Sequence, residues 1–296
     1  MRLGAFEVRE PVPELRAPYM LAALRPWVDV GSVGSLALAR LEKHLASREI
    51  ARLRRPGVYF DFTRYRPTVF LKEGQRELAV PNTVINYAHG PGEHDFLFLH
   101  MMEPHMFGES YVESVQKVLR HFHVHRYCLL GSMYDAVPHT RPLLLTGSAV
   151  GSHAEGAMQR VQADKSSYQG PTTITMLIAR EAPRFGVETM SLIVHLPQYV
   201  QLEEDHAGEA RLLQAACAIY NLPADLVETK EGEEQYKEIS KAVETNPQVR
   251  SVVRQLEAAY DSEHSQQGGE SAPRETSLSP EIEKFLREID KGFRGN

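Results

Sequence analysis

Apolar residues in this chain fall into two kinds of run. Some are short, continuous and rich in β-branched residues, as suits strands buried on both faces. Others recur at helical spacing and suit helices packed along one side. The clearest succession is Tyr168 to Tyr199. Gly170 permits an unusual backbone angle and Pro171 suits a first helical turn. Ile174, Leu177, Ile178 and Phe185 then follow a helical period, Gly186 stops it, Thr189–Leu196 predicts a buried strand, and Pro197-Gln198-Tyr199 ends that strand. The same reading predicts strands over Leu3–Val8, Tyr19–Leu24, Gly57–Phe62, Asp95–Met101, Tyr127–Gly131 and Leu143–Thr146. Glu73-Gly74 separates Thr68–Leu71 from Glu77–Val80 and predicts a hairpin. Helices are predicted with Leu38, Leu41 and Leu45 on one face, over Gly108–His121 and over His153–Ala163.

Strand, glycine-containing turn and helix in succession make a wound α/β pattern, and the hairpin makes the sheet mixed. We therefore expect an α/β body over residues 1–200. Past Tyr199 the composition shifts to Ala, Glu, Lys and Leu, and Glu209–Tyr220, Glu233–Val243 and Pro247–Tyr260 predict three helices, a C-terminal helical appendage over 201–261 packed on the body. Residues 262–279, polar and poor in apolar positions, are expected to be a flexible linker. Residues 280–296 hold an amphipathic helix with Ile282, Phe285, Leu286 and Ile289 on one stripe. Burial of each stripe residue is worth roughly 1.5–3 kcal/mol, against about 1–2 kcal/mol of backbone entropy per ordered residue. Such a helix needs a surface, on its own body or on another protein.

With 42% hydrophobic and 24% charged residues the composition is that of an ordinary globular protein. A formal net charge of −6 argues against a general binder of nucleic acid or of a membrane surface, which needs clustered Lys and Arg. The two cysteines, Cys128 and Cys217, are too few for a disulfide framework. Without a secretory leader or a membrane-length apolar run, a cytoplasmic location is expected.

Candidate chemistry is sparse. Gly31-Ser-Val-Gly34, at a strand-to-helix turn, suits either an anion held by backbone N–H groups or tight packing. It lacks both the dinucleotide fingerprint and the P-loop Gly-Lys-Ser/Thr. His121, His123 and His125 would share one face of a strand but lie between a helix and a strand, where helix-terminal cations are the simpler reading. His100 and His105 flank Glu103-Pro104 without a third ligand, so no metal or cofactor is assigned. Ser132 follows Gly131 without the Gly-x-Ser-x-Gly elbow, and Asp135 lies close by in sequence. The cysteines lack activating neighbours and suit packed thiols. In Pro138-His139-Thr140-Arg141-Pro142, two prolines fix a His, a hydroxyl and an Arg fork for a carboxylate, a phosphate or a salt bridge across a subunit boundary. The charges of Lys230–Lys241 suit a solvated helix face.

Several motifs in a fixed order resemble a known family. They are Pro26-Trp-Val-Asp-Val-Gly-Ser-Val-Gly34 with Ser35-Leu-Ala, Phe60-Asp61 with Arg64-Tyr-Arg-Pro67, Glu103-Pro104, Pro138-His-Thr-Arg-Pro142, Tyr168-x-Gly170-Pro171, Pro197-x-Tyr199, and Gln255-Leu-Glu-Ala-Ala-Tyr-Asp261. Together, over about residues 3 to 261, they resemble the bacterial branch of the proteasome assembly chaperone family of the second type. The resemblance implies a phosphorylase/hydrolase-like three-layer α/β/α body with a mostly parallel mixed sheet. It also implies helices packed at the C-terminal side and self-association, with a homotrimer as the first expectation. Members that engage the proteasome ring carry a hydrophobic-Tyr-any tail. Here the sequence closes on Phe293-Arg-Gly-Asn296, and docking through such a tail is not expected.

The expected function is therefore non-enzymatic binding or assembly, by a homo-oligomer that has another protein as a further candidate partner through the 280–296 stripe. The alternative is a hydrolase- or phosphorylase-type enzyme, or a small-molecule binder, with its site at strand C-terminal ends. The candidate ligand or interface residues are Asp29, Gly31, Gly34, Asp61, Glu103, Ser132, His139, Arg141, Tyr168, Gly170 and Thr172.

Overall fold

The structure, a computed structural model, describes residues 1–264. In chain order its strands are β1 (Arg2–Leu3), β2 (Phe6–Val8), β3 (Tyr19–Arg25), β4 (Arg48–Leu53), β5 (Thr68–Lys72), β6 (Gln75–Ala79), β7 (Val84–Ala88), β8 (Phe96–Met102), β9 (Arg126–Asp135), β10 (Leu145–Val150), β11 (Asp164–Lys165) and β12 (Glu188–Pro197). Its helices are α1 (Val33–His44), α2 (Gly108–His121), α3 (Ser152–Arg160), α4 (Ile174–Glu181), α5 (His206–Tyr220), α6 (Lys230–Thr245) and α7 (Pro247–His264).

Ten strands form one sheet in the order β1-β2-β4-β7-β8-β3-β9-β12-β10-β11. Its centre, β8-β3-β9-β12, is parallel. The flanks are antiparallel except for the short β10–β11 pair. Alternation along β3 shows how the sheet is buried on both sides. Leu21 and Ala23 join α1, α3 and α5 in one core, with Leu38, Leu41, Leu192 and Leu212. Met20, Ala22 and Leu24 join α2 and α4 in the other, with Leu97, Val115, Leu119 and Ile178. The molecule is thus a three-layer α/β/α sandwich, with α6 packed on α5 and α7 on α6. Among the described residues no helix is long and apolar enough to cross a membrane.

Several expectations need correction. Gly57–Phe62 is not a strand: Pro56–Val58 is a 3₁₀ turn, because Pro56 fixes φ and opens a helical turn. The strand of that region is β4, whose Arg and Glu positions mask its pattern. The hairpin β5–β6 exists but stands outside the main sheet, so it is not what makes the sheet mixed. The antiparallel strands β2, β4, β7 and β10 do that. Pro171 precedes α4 by three positions rather than opening it. The 280–296 stripe (Ile282, Phe285, Leu286, Ile289) lies outside the described residues, as does the expected linker apart from 262–264, which continue α7.

Candidate functional site

Four of the sequence-predicted residues meet where β3 passes into α1. Asp29 is buried and accepts three hydrogen bonds. Oδ1 takes the Gly34 and Ser35 N–H groups at 2.7 and 3.1 Å, and Oδ2 takes the Ser35 hydroxyl at 2.6 Å. Burial pushes its pKa up, opposed by those three donors. Ser132, fully buried, donates its hydroxyl to Val30 O at 2.6 Å. Its proton is committed to the backbone, which disqualifies it as a nucleophile in this arrangement. Gly34 packs α1 against β9 so closely that a Cβ there would lie 2.5 Å from Leu130 O. Gly31, at φ +59°, lies against Asp205, whose Oδ1 caps α5 through Gly208 N–H at 2.8 Å. This cluster locks α1, β9 and α5 together.

Asp61 and Glu103 lie in a second locus, and the Tyr168–Thr172 loop leads into α4 beside Glu103. Glu103, at the end of β8, accepts the Ile174 N–H at 3.0 Å and so caps α4 from another element; burial raises its pKa. Asp61 accepts the Thr63 N–H and hydroxyl, while its own N–H donates to His105 Nδ1 at 3.2 Å. It lines a shallow depression of about 490 Å³ with Phe60, Arg64 and His105. Tyr168 is exposed and donates its hydroxyl to Pro171 O at 2.8 Å, directly over Gly170. Thr172 is exposed.

His139 and Arg141 belong to a third locus that holds the last helices. Ser240 on α6 donates its hydroxyl to Tyr236 O, so it accepts from His139 Nε2–H at 3.1 Å, and Nδ1 then accepts the Tyr199 hydroxyl at 2.6 Å. Arg141 grips Asp261 with two bonds of 2.7 Å and reaches Glu257 at 3.3 Å, both on α7. Its carboxylate partner thus lies within the chain. A groove of about 1250 Å³ runs beside Arg141 between α5, α6 and the entrance to β10.

Burial lowers the pKa of His139 below its ordinary 6.5. As pH falls through 6.5, the unfolded chain binds the proton first and stability drops until the folded pKa is passed. His139→Gln is therefore expected to flatten the fall in urea midpoint between about pH 7.5 and 5, at most about 1.4 kcal/mol per pH unit for this group. His125 shifts in the same direction, so part of the slope remains.

One arrangement was not legible in the sequence. His195 Nδ1 lies 2.6 Å from Asp135 Oδ2, and its Nε2 lies 2.8 Å from Thr146 Oγ1. Hydroxyl, imidazole and carboxylate stand in the order that activates a nucleophile. The three come from β10, β12 and β9, and Asp135 was the one member singled out before. They sit on a sheet face that also presents Ser148, Val150, Ser191 and Ile193, all at least partly exposed.

Two groups of exposed apolar side chains bear on association. Trp27, Met106 and Phe107 are exposed just beyond the C-terminal ends of the adjacent parallel strands β3 and β8. The β5–β6 hairpin is exposed at all ten positions and carries Val69 (60%), Phe70 (43%), Leu71 (72%) and Leu78 (60%). Val69 pairs directly with Leu78, and Leu71 lies on the same side two residues along. Glu73 and Gly74, at φ +50° and +81°, form the turn.

The PAC2 family model matches residues 23–245. A PAC2 family protein from Streptomyces avermitilis is 26% identical, with a TM-score of 0.67 over 80% of this chain and 99% of that one. A protein of unknown function from Corynebacterium glutamicum superposes with a TM-score of 0.77 at 22% identity, over 88% and 98% of the two chains. A proteasome-assembly chaperone homologue from Mycobacterium tuberculosis gives 0.69 at 22% identity, over 79% and 99%. Among curated proteins none matches.

Proposed function

Because the chain belongs to the PAC2 family, we propose that it is a cytoplasmic, homo-oligomeric, non-enzymatic binding and assembly protein. The observation that carries this reading is the β5–β6 hairpin. A two-stranded hairpin is at best marginal in water, and this one buries none of its residues against its own body while exposing Val69, Phe70, Leu71 and Leu78. A second copy of the chain is the occupant this surface suits, with a trimer as the expected stoichiometry. The exposed Trp27, Met106 and Phe107 give a further apolar surface for a protein partner. The description of a structural relative as a proteasome-assembly chaperone homologue supports an assembly role. Most of the candidate residues support it too, since Asp29 and Glu103 cap helices, Asp61 and Tyr168 close turns, and His139 and Arg141 hold α6 and α7.

Size-exclusion chromatography with light scattering tests this. The wild type is expected to run as a concentration-dependent multiple of its chain mass, and Leu71→Glu with Leu78→Glu to run as a monomer with an unchanged melting temperature. A wild type that stays monomeric across a wide concentration range removes the reading. The Thr146–His195–Asp135 relay favours a second reading, a hydrolase-type enzyme with Thr146 as nucleophile. Turnover of an activated ester that disappears in His195→Ala would place that reading first.

A further inference from the structure

The end of the sheet opposite the candidate residues gathers a different set of side chains. β9 and β12 are parallel and start side by side, with Arg126 paired to Glu188. β10 runs antiparallel to β12 and delivers α3 to the same end. As a result His125, His153 and Glu188 converge, with one ligand-type atom from each lying within 4.8 Å of the others. We propose that these three side chains bind a zinc-class divalent transition metal ion, with its fourth position open to solvent.

Several independent features prepare the site. Arg126 directs both Nε and Nη2 to Glu188 Oε2, at 3.1 and 2.8 Å, which fixes the carboxylate and turns Oε1 toward α3. His153 Nδ1 lies 3.1 Å from Oε1. That is about the separation of two ligand atoms sharing one zinc at roughly 2.0–2.1 Å each. Gly151, at φ +114°, makes room: a Cβ there would fall 2.7 Å from Oε1 and 2.6 Å from Glu188 Cγ. The backbone of His125 is held on both sides, its N–H by Pro18 O at 2.9 Å and its carbonyl by Glu188 N–H at 3.1 Å. The His94 ring stacks on it at 5.0 Å and is itself anchored through Nδ1 to Ala17 O.

The Arg126 ion pair and the His153 backbone N–H, which donates to Oε1 at 3.1 Å at the start of α3, account for Glu188 alone; they do not require two imidazoles beside the same carboxylate. Two nitrogens and one oxygen suit zinc and its borderline neighbours, whereas calcium and magnesium prefer all-oxygen shells. His153 is 74% exposed, which gives the ion an entry path.

Cobalt(II) titrated into chelator-stripped, full-length protein tests the site. The expected result is the saturable visible absorption of four-coordinate cobalt at about one equivalent per chain, erased by added zinc. His153→Ala and His125→Ala are each expected to weaken binding by about 100-fold, since loss of a second-shell partner alone costs roughly 10–100-fold. His121→Ala and His123→Ala, neighbours outside the cluster, are expected to bind as the wild type does. If His125→Ala does not fold, the exposed His153→Ala decides alone. Absence of a saturable band, or a band that survives His153→Ala unchanged or is lost equally in the control variants, overturns the proposal.

Discussion

Gly34→Val is expected to cost roughly 3–4 kcal/mol, a large share of a typical domain's stability of about 5–15 kcal/mol. A side chain at this position meets the backbone of a central parallel strand, with the Cβ 2.5 Å from Leu130 O and 3.2 Å from its carbonyl carbon. It also comes within 3.0 Å of Asp29 Oδ1, the acceptor that closes the start of α1. None of these atoms is the free end of a flexible chain, so α1 must lift from the sheet. Lifting it opens the core around Val33, Ala37, Leu38 and Leu41. Gly92→Ala is the control, since nothing lies within 4 Å of that position. Urea unfolding of both variants checks the effect. A loss below about 1 kcal/mol for Gly34→Val would mean that the contact yields readily.

Glu188→Ala is expected to lose about 3–5 kcal/mol, because it strands a charge. Arg126 is buried and its guanidinium finds Glu188 as its ion-pair partner. The cost comes from the arginine left behind, so an apolar replacement of both residues, Arg126→Met with Glu188→Leu, is expected to be more stable than Glu188→Ala alone. Burial raises the pKa of Glu188, but Arg126 and His153 outweigh it and hold the group below the usual carboxylate range. A depressed carboxylate pKa stabilises above the unfolded value, and the contribution is lost as pH falls through the folded one. The acid limb of the wild-type stability curve is therefore expected to be steeper than that of Glu188→Ala. A double-mutant cycle by denaturant unfolding, run with chelator present, reads both effects. Equal stability of the single and double variants would mean that Arg126 finds another partner.

What the sequence could convey follows from how local each feature is. α2 occupies Gly108–His121 as expected, because its apolar stripe is confined to one face and binary pattern alone decides it. The hairpin turn was equally legible, since Glu73-Gly74 supplies the two positive φ angles that a tight turn requires. Its position outside the sheet was not, because pairing with the body is a tertiary matter. β7 escaped notice for a related reason, its Asn86 and Tyr87 breaking an apolar run only five residues long. Among the candidate residues, Asp29, Gly31, Gly34 and Ser132 come together because the segment leaving β3 runs alongside the C-terminal half of its parallel neighbour β9, where Asp29 bridges to Ser132. The partners of Arg141 lie 116 and 120 positions away, and the Asp135–His195–Thr146 relay draws on three strands. No spacing rule connects such residues before the fold does.

The two borders of the large sheet, Arg2–Leu3 and Asp164–Lys165, are only two residues long, and the second carries charges of both signs. Each border strand offers a neighbouring molecule only two residues of backbone ladder, and the longer stretches without a strand partner are Ser148–Val150 of β10 and the two edges of the β5–β6 hairpin. Strand addition at the two borders of the large sheet is thereby limited, and the exposed hairpin is left as the longer edge. For any contact made through side chains instead, the angle it sets decides the outcome: a rotation that closes gives a ring, and one that does not gives an open filament.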